Sequence, residues 1–244
     1  MWPDSTRTSS STRSSATDVA ATLLDYYRDL HTRYGPQNWW PAESPFEIMV
    51  GAILVQSTKW QNVEKAIATL KTYGLLDPAR ILEIDEETLG FAIRSSGTFR
   101  VKARRLKGFV RWFVDRGADA GRIKELGVPR LREELLAIRG IGRETADAIL
   151  LYAFELPTFV VDRYTWRVLT RHELLPEDVT YDEMKELFEG SLERNRELYG
   201  EFHALIVRVG IEHCRSKAKC AGCPLEPRLP RRYSETEIGA PERV

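Results

Sequence analysis

A short glycine turn near the middle of the chain could hold a phosphate group. Gly140, Ile141 and Gly142 separate two stretches whose apolar residues repeat with helical spacing, so the turn should join two helices in a tight hairpin. Both glycines allow positive φ angles and keep side chains out of a ligand's path. The second helix should begin near Arg143, where free N–H groups, the helix dipole and the charges of Arg139 and Arg143 would attract a DNA phosphate. The alternative is an ordinary helical corner in which glycine only makes the bend.

A single carboxylate follows this turn and could belong to the same site. Asp162 comes after the apolar stretch Phe159-Val160-Val161 and precedes another helical pattern. A carboxylate at that position can simply cap the helix N-terminus. It can also do chemistry close to a nucleic-acid backbone that the turn holds. The turn and the carboxylate together indicate chemistry on a nucleic acid.

Helices must position both groups. Nearly every segment from Asp18 onward has helical periodicity and no segment alternates with a period of two, so we predict an all-α fold. The stretch 45–56 is apolar nearly all round, which predicts a buried central helix. We expect helices over residues 18–33, 45–56, 60–72, 99–115, 130–138, 143–153, 162–172, 181–193 and 197–212.

The order of these motifs resembles the endonuclease III superfamily of DNA glycosylases. Residues 132–153 are similar to its helix-hairpin-helix motif, and the catalytic aspartate that follows a Gly/Pro-rich loop in the family corresponds to Asp162. The resemblance runs from about Tyr34 to Cys223. It implies a DNA-facing cleft between two helical domains, with double-stranded DNA that contains damaged bases as the partner. A bundle domain would cover residues 37–151 and include the hairpin, and a second domain would combine residues 17–36 with 152–244.

The same resemblance assigns catalytic roles. Asp162 would be needed to break the N-glycosidic bond. Bifunctional members of the family carry a lysine two residues after the second glycine of the hairpin, and that lysine attacks C1′ and cuts the strand. This chain has Glu144 there, which cannot form a Schiff base. We therefore expect a monofunctional enzyme, with Glu144 either an ordinary first-turn residue or a second catalytic group that orders water or Asp162.

Aromatic residues on both sides of the central helix indicate a base pocket. Trp39, Trp40 and Pro41 precede that helix and Trp60 follows it. They could plug a gap between domains or form a wall for an extruded base. The motifs Trp-Trp-Pro, Gln-x-Thr-Lys-Trp, Gly-Arg-Glu and Val-Val-Asp resemble the branch of 3-methyladenine DNA glycosylase III and its endonuclease III-like relatives. Its cationic purines would gain about 1–2 kcal/mol from cation–π attraction. The resemblance also implies that Gln56 fills the gap left by the flipped nucleotide, although Gln56 could be only the polar end of a helix.

The three cysteines, Cys214, Cys220 and Cys223, all lie in one short segment. Such clustering indicates a metal site in a reducing compartment rather than a disulfide scaffold. Many members of the endonuclease III superfamily, which this chain resembles, bind a [4Fe–4S] cluster at this place through four cysteines. In this chain the first spacing is one residue shorter and no fourth cysteine follows. A cluster completed by His213, a zinc ion bound by three cysteines and a histidine, and a loop without metal all stay open.

Composition limits the remaining possibilities. The 36 Lys and Arg residues balance the 36 Asp and Glu residues, so DNA binding requires locally concentrated positive charge. Residues 100–111 are such a basic segment, or else a solvated helix face. No stretch is long and apolar enough to span a membrane, and we expect residues 1–16, rich in Ser and Thr, to be a disordered tail. We expect a cytoplasmic monomer, associated with the nucleoid of a bacterium or archaeon.

Three functions fit these observations. The first is a glycosylase for alkylated purines such as 3-methyladenine, and the second is an endonuclease III-like enzyme for oxidised pyrimidines or mismatched bases. The third is a DNA-binding helix-hairpin-helix protein without catalysis. Asp162 argues against the third, because a protein that only binds DNA has no need for a carboxylate at that position.

Overall fold

The computed structural model describes residues 16–230, and these fold as helices joined by short loops without any strand. The expected tail over residues 1–16 lies outside the described residues except for Ala16, which begins the first helix. The α-helices are α1 (Ala16–Tyr34), α2 (Pro45–Leu54), α3 (Trp60–Thr72), α4 (Pro78–Glu83), α5 (Glu86–Ala92), α6 (Phe99–Val114), α7 (Ala120–Ile123), α8 (Gly127–Ala137), α9 (Arg143–Ala148), α10 (Arg163–Arg171), α11 (Tyr181–Ser191) and α12 (Arg196–Glu212). The all-α prediction is confirmed.

The structure differs from the sequence prediction in its shortest helices and in one helix type. The sequence pattern does not predict α4, α5 and α7, which have only 6, 7 and 4 residues and are too short to display a helical repeat. Asp77 caps the start of α4 by accepting a hydrogen bond from the backbone N–H of Arg80, and Asp85 caps α5 by accepting one from the backbone N–H of Thr88. The helix predicted over 143–153 is α-helical only to Ala148 and continues as a π-helical turn over Ile149–Ala153. Turns of this kind are frequent at functional sites.

Helix α2 is the buried centre of the first part of the molecule, as predicted. Met49, Val50, Ile53 and Leu54 are fully buried, and α2 packs against α3, α6, α9 and the π-helical turn. Its C-terminal end is fixed by Lys102, which is 1% exposed and donates a 2.9 Å hydrogen bond to the carbonyl of Leu54. Burial lowers the pKa of Lys102 to about 8. The segments that carry the candidate site residues are therefore attached to a rigid helix.

The other helices form a second group around α12. Helix α12 packs against α1 and α10, and α1 also packs against α11. Gly210 of α12 lets the ring of Tyr164 in α10 lie directly on the helix backbone. Because α12 also contacts the π-helical turn, one continuous hydrophobic cluster joins the two groups. The division into 37–151 and 17–36 plus 152–244 stays a prediction. Within residues 16–230, no helix has the length and apolar character needed to cross a membrane.

Candidate active site

The hairpin between α8 and α9 leaves open space on its outer side. Gly140 has φ +92°, and a Cβ atom there would lie 2.5 Å from the side chain of Arg105, so only glycine fits. Gly142 has φ −95° and does not use the left-handed region that a glycine allows. A Cβ atom at Gly142 would meet nothing within 4 Å, which leaves the approach to the first N–H groups of α9 clear. Ile141 is 5% exposed, so its side chain anchors the turn in the core and is not available to a ligand.

The two arginines of the hairpin are both exposed, but their surroundings differ. Nε of Arg143 lies 3.1 Å from a carboxylate oxygen of Asp182 in α11, and the other oxygen of Asp182 lies 3.0 Å from Arg132 of α8. Arg132 also forms two hydrogen bonds with the fully buried carboxylate of Asp147. The hairpin is thus held to α11 by a chain of ion pairs. A DNA phosphate would compete with Asp182 for Arg143. Arg139 is the second positive charge at the turn.

Gln56 attaches the end of α2 to the hairpin. Its amide nitrogen donates hydrogen bonds to the carbonyl of Gly140 (3.1 Å) and to the hydroxyl of Thr145 (3.0 Å). Its amide oxygen accepts a hydrogen bond from Arg105. Gln56 is therefore next to the predicted DNA-binding turn, and its insertion into the duplex stays a prediction. Insertion would require these contacts to break, so Gln56 and the hairpin would respond to DNA together.

The basic segment 100–111 is not a uniform phosphate-binding surface. Lys102 is buried, and Lys107 donates hydrogen bonds to the carbonyls of Leu82 and Ile84. Arg104 pairs with Glu86 at 3.5 Å. These residues mainly fasten α6 to neighbouring helices, so the positive charge that faces the hairpin from this segment comes from Arg105.

Asp162 is both a helix cap and an available carboxylate. Its Oδ1 atom accepts hydrogen bonds from the backbone N–H (2.8 Å) and the hydroxyl (3.0 Å) of Thr165, and its own N–H donates to the same hydroxyl, which completes a capping box. The Oδ2 atom is not used by the cap and lies 3.9 Å from Nε2 of His203. The side chain is 12% exposed. The capping interpretation is confirmed, and it leaves one oxygen free for chemistry.

Glu144 lies close enough to Asp162 for their charges to interact. Burial of its carboxyl among protein atoms raises the pKa of Glu144 to about 7, the negative charge of Asp162 raises it further, and Arg163 opposes the shift. The residue as a whole is nevertheless exposed, so water weakens this effect in the free protein. A bound DNA strand would exclude that water and add negative charge, which strengthens it. Glu144 is therefore a group that can hold or release a proton near neutral pH.

The aromatic residues predicted to form a base pocket do meet, with Trp40 at the centre. The ring of Trp40 contacts Trp60 edge to face, with centroids 5.1 Å apart, and Trp39 in the same manner at 6.4 Å. It also contacts Tyr152 at 5.3 Å and lies over Gly51, where a Cβ atom would be 3.3 Å from the indole nitrogen. Pro41 is exposed beside them. These rings connect the segment before α2 with the start of α3 and the π-helical turn.

Tyr152 and His203 join this aromatic cluster to Asp162, and the sequence analysis missed both. The hydroxyl of Tyr152 lies 2.6 Å from Nδ1 of His203, whose Nε2 atom faces Asp162. A lone histidine in the apolar run Phe202-His203-Ala204 reads as a core residue, so no local signal marks it. Thr165 could have been found, because a Ser or Thr three residues after an acidic cap is the spacing of a capping box.

Residues 50–194 match the family described as HhH-GPD superfamily base excision DNA repair protein. The chain belongs to this superfamily. The matched segment contains Gln56, the hairpin, Glu144 and Asp162, whereas Trp40 and His203 lie outside it. The protein is therefore a base excision repair DNA glycosylase, an enzyme that hydrolyses glycosidic bonds, and the expected resemblance to the endonuclease III superfamily is confirmed.

Individual relatives of this HhH-GPD protein agree with the assignment. A protein of Methanocaldococcus jannaschii with the provisional name DNA repair glycosylase is 46% identical over 206 residues, covering 84% of this chain and 90% of that protein. Endonuclease III of Sulfolobus acidocaldarius is 31% identical over 180 residues, covering 73% and 78%. The crystal structure of H. pylori 3-methyladenine DNA glycosylase bound to 1,N6-ethenoadenine is similar with a TM-score of 0.67 and 29% identity, covering 81% of this chain and 97% of that chain.

The cysteine loop of this HhH-GPD protein does not fit a four-ligand metal site as arranged. Sγ of Cys214 lies 3.3 Å from the guanidinium of Arg171, which also donates hydrogen bonds to the carbonyls of Arg215 and Ser216. Nδ1 of His213 lies 3.0 Å from the carbonyl of Lys219. Over residues 16–230, no group of three or more His, Cys, Asp or Glu side chains is placed to hold a metal ion. An arginine and backbone groups hold the loop together, and metal analysis of the protein decides among a cluster, zinc and no metal.

Proposed function

We propose that the protein is a monofunctional, monomeric glycosylase that releases cationic alkylated purines, such as 3-methyladenine, from double-stranded DNA. The observation that carries this proposal is the continuous path from Trp40 through Tyr152 and His203 to Asp162. An electron-rich aromatic cluster and a carboxylate are thereby joined in one site.

The chemistry of a cationic base suits this combination. Aromatic faces attract a positively charged purine more than its neutral counterpart, because cation–π attraction adds to stacking. A cationic base is also a good leaving group, so little acid assistance is needed at the base. The remaining demand is to stabilise the positive sugar that forms as the bond breaks, and Oδ2 of Asp162, which the helix cap does not use, can meet it.

Glu144 supports the monofunctional part of the proposal. A lysine at this position would attack C1′ as an amine, whereas a carboxyl group cannot form a Schiff base. A group whose pKa is raised to about 7 can instead accept a proton from the attacking water. The expected product is an intact strand with an abasic site.

A panel of duplexes tests this proposal. Matched duplexes would carry 3-methyladenine, 1,N6-ethenoadenine, an oxidised pyrimidine, a mismatch or no lesion, and would be assayed with and without hot alkali, with Asp162→Asn as the inactive control. We expect release of the cationic purine and strand cleavage only after alkali. Release of oxidised pyrimidines with no action on methylated purines would contradict the substrate assignment.

An endonuclease III-like specificity for oxidised pyrimidines or mismatched bases is the second candidate. It is favoured by the 31% identity to endonuclease III of Sulfolobus acidocaldarius. Glu144 argues against the associated strand cleavage but not against the base preference. The same panel separates the two candidates, because a neutral pyrimidine gains nothing from cation–π attraction.

A further inference from the structure

His203 occupies a buried position between the aromatic cluster and Asp162. It lies on α12, is 6% exposed, and has a polar neighbour on the side of each ring nitrogen. Nδ1 is 2.6 Å from the hydroxyl of Tyr152, and Nε2 is 3.9 Å from Oδ2 of Asp162. The second distance is within the range of an electrostatic contact but exceeds that of a hydrogen bond. The two nitrogens therefore connect different parts of the site.

The positions of the protons follow from the partners of Tyr152. Its hydroxyl has one proton and two neighbours, Nδ1 of His203 at 2.6 Å and the carbonyl of Gly200 at 3.2 Å. A carbonyl can only accept, so donation to Gly200 would make Nδ1–H the donor to Tyr152 and turn the lone pair of Nε2 towards the carboxylate of Asp162, which repels it. Donation to Nδ1, which must then be unprotonated, avoids this repulsion. In a neutral imidazole the proton is consequently on Nε2, on the side of Asp162. Burial lowers the pKa of His203 while the charge of Asp162 raises it.

We propose that His203 is a positioning residue for Asp162, held by Tyr152 so that its Nε2–H is directed at Oδ2 of the carboxylate. This inference rests on the proposed function. Thr165 fixes Oδ1 through the capping box, so His203 controls the remaining oxygen, which is the one free to face the sugar. A neutral N–H group orients this oxygen without removing the negative charge that the reaction needs.

The same arrangement links the pocket to the carboxylate. Tyr152 lies in the π-helical turn, where its ring contacts Trp40 and its hydroxyl reaches His203. A base that displaces or presses on Trp40 would act on Tyr152 and, through His203, on Asp162. Occupancy of the pocket and orientation of the carboxylate are therefore coupled through two side chains.

Nitrogen NMR tests the proton placement without any need for activity. The chain has four histidines, and the signals of His203 are identified by their loss in His203→Gln. We expect side-chain ¹⁵N shifts of a neutral ring protonated at Nε2 in the wild type and a mixture of tautomers in Tyr152→Phe, which retains the ring contact with Trp40. A wild-type ring protonated at Nδ1 alone would overturn the proposal.

Two amide variants test the positioning role. The amide of His203→Gln can place a donor near the position of Nε2, whereas that of His203→Asn reaches only the position of Nδ1. We expect His203→Asn to lower the single-turnover rate of base release by roughly tenfold, because it removes an electrostatic contact to the carboxylate that is longer than a hydrogen bond. His203→Gln should retain most of the rate, and affinity for abasic duplex should change by less than about twofold in both.

A second tyrosine–histidine pair provides the matched control. The hydroxyl of Tyr26 lies 3.0 Å from Nδ1 of His172, which is also buried but follows the C-terminal end of α10. Tyr26→Phe and His172→Gln should therefore leave the rate near the wild-type value. Equal rates for His203→Asn and His203→Gln, or equal losses in the control pair, would overturn the positioning role. If the wild type releases no base from any duplex, the proposed function fails, and the nitrogen shifts still decide where the proton of His203 lies.

Discussion

Replacing Asp162 by asparagine separates its charge from its role as a helix cap. The amide oxygen of asparagine can accept the same hydrogen bond that Thr165 donates to Oδ1 at 2.8 Å. Asparagine and aspartate are equally good N-cap residues, so the free energy of unfolding should change by less than about 0.5 kcal/mol. The negative charge, in contrast, is lost completely.

The expected loss of rate follows from Coulomb's law. The side chain of Asp162 is 12% exposed, so an effective dielectric constant of about 20 applies rather than that of water. At a separation of about 4 Å, a carboxylate stabilises a unit positive charge on the sugar by about 4 kcal/mol. Since each 1.36 kcal/mol changes a rate by a factor of ten, Asp162→Asn should slow base release by about a thousandfold.

Single-turnover release from a duplex with a methylated purine measures this effect, and binding to an abasic duplex measures affinity separately. Thr165→Val is the matched control, because it removes the 3.0 Å hydrogen bond from the hydroxyl to Oδ1 but leaves the charge in place. We expect this variant to lose less than about tenfold. Release by Asp162→Asn within tenfold of the wild-type rate would refute charge stabilisation, and an equal loss in Thr165→Val would assign the effect to carboxylate geometry instead.

Four further predictions concern the rest of the site. Because Glu144 stands in place of an attacking lysine, substrate DNA should be nicked only after alkali, and borohydride trapping of an enzyme–DNA adduct would contradict this. Because Arg171 contacts Cys214, the purified protein should contain less than about one iron per chain, and elemental analysis that finds about four would show a cluster. Trp40→Ala and Trp60→Ala should each raise the activation free energy for release of 3-methyladenine by about 1–3 kcal/mol, and should weaken binding to abasic DNA by less. Equal effects on release and on binding would reject the pocket. The pKa of Glu144 is raised from 4.5 to about 7, so ionisation of this group destabilises the fold. The destabilisation is absent below about pH 4, grows between about pH 4 and pH 7, and is constant at higher pH. Glu144→Gln should therefore raise Tm at about pH 8 but not at about pH 4, and an equal change at both would contradict the shift.

Local chemistry was enough to predict the longer helices, the hairpin and the cap at Asp162. Helical periodicity, the glycine at 140 and the position of a carboxylate before a helical pattern are properties of neighbouring residues, so they can be read without knowledge of distant contacts. The π-helical turn at Ile149–Ala153 was not predicted, because its residues have the same apolar pattern as an α-helix. Gly140 has a positive φ angle and Gly142 a negative one, which the sequence left open because a glycine permits several conformations.

Contacts between distant residues could come only from the tertiary structure. His203 is 41 residues beyond Asp162 in the sequence and 51 beyond Tyr152, and it meets both because α12 packs against α10 and the π-helical turn. Gln56 reaches the hairpin across 84 residues for the same kind of reason. Residue type alone identified Asp162 and Glu144 as groups that could do chemistry, because it sets charge and proton chemistry. The packing of helices decided which of them share a site, because that packing depends on the shape of the whole core.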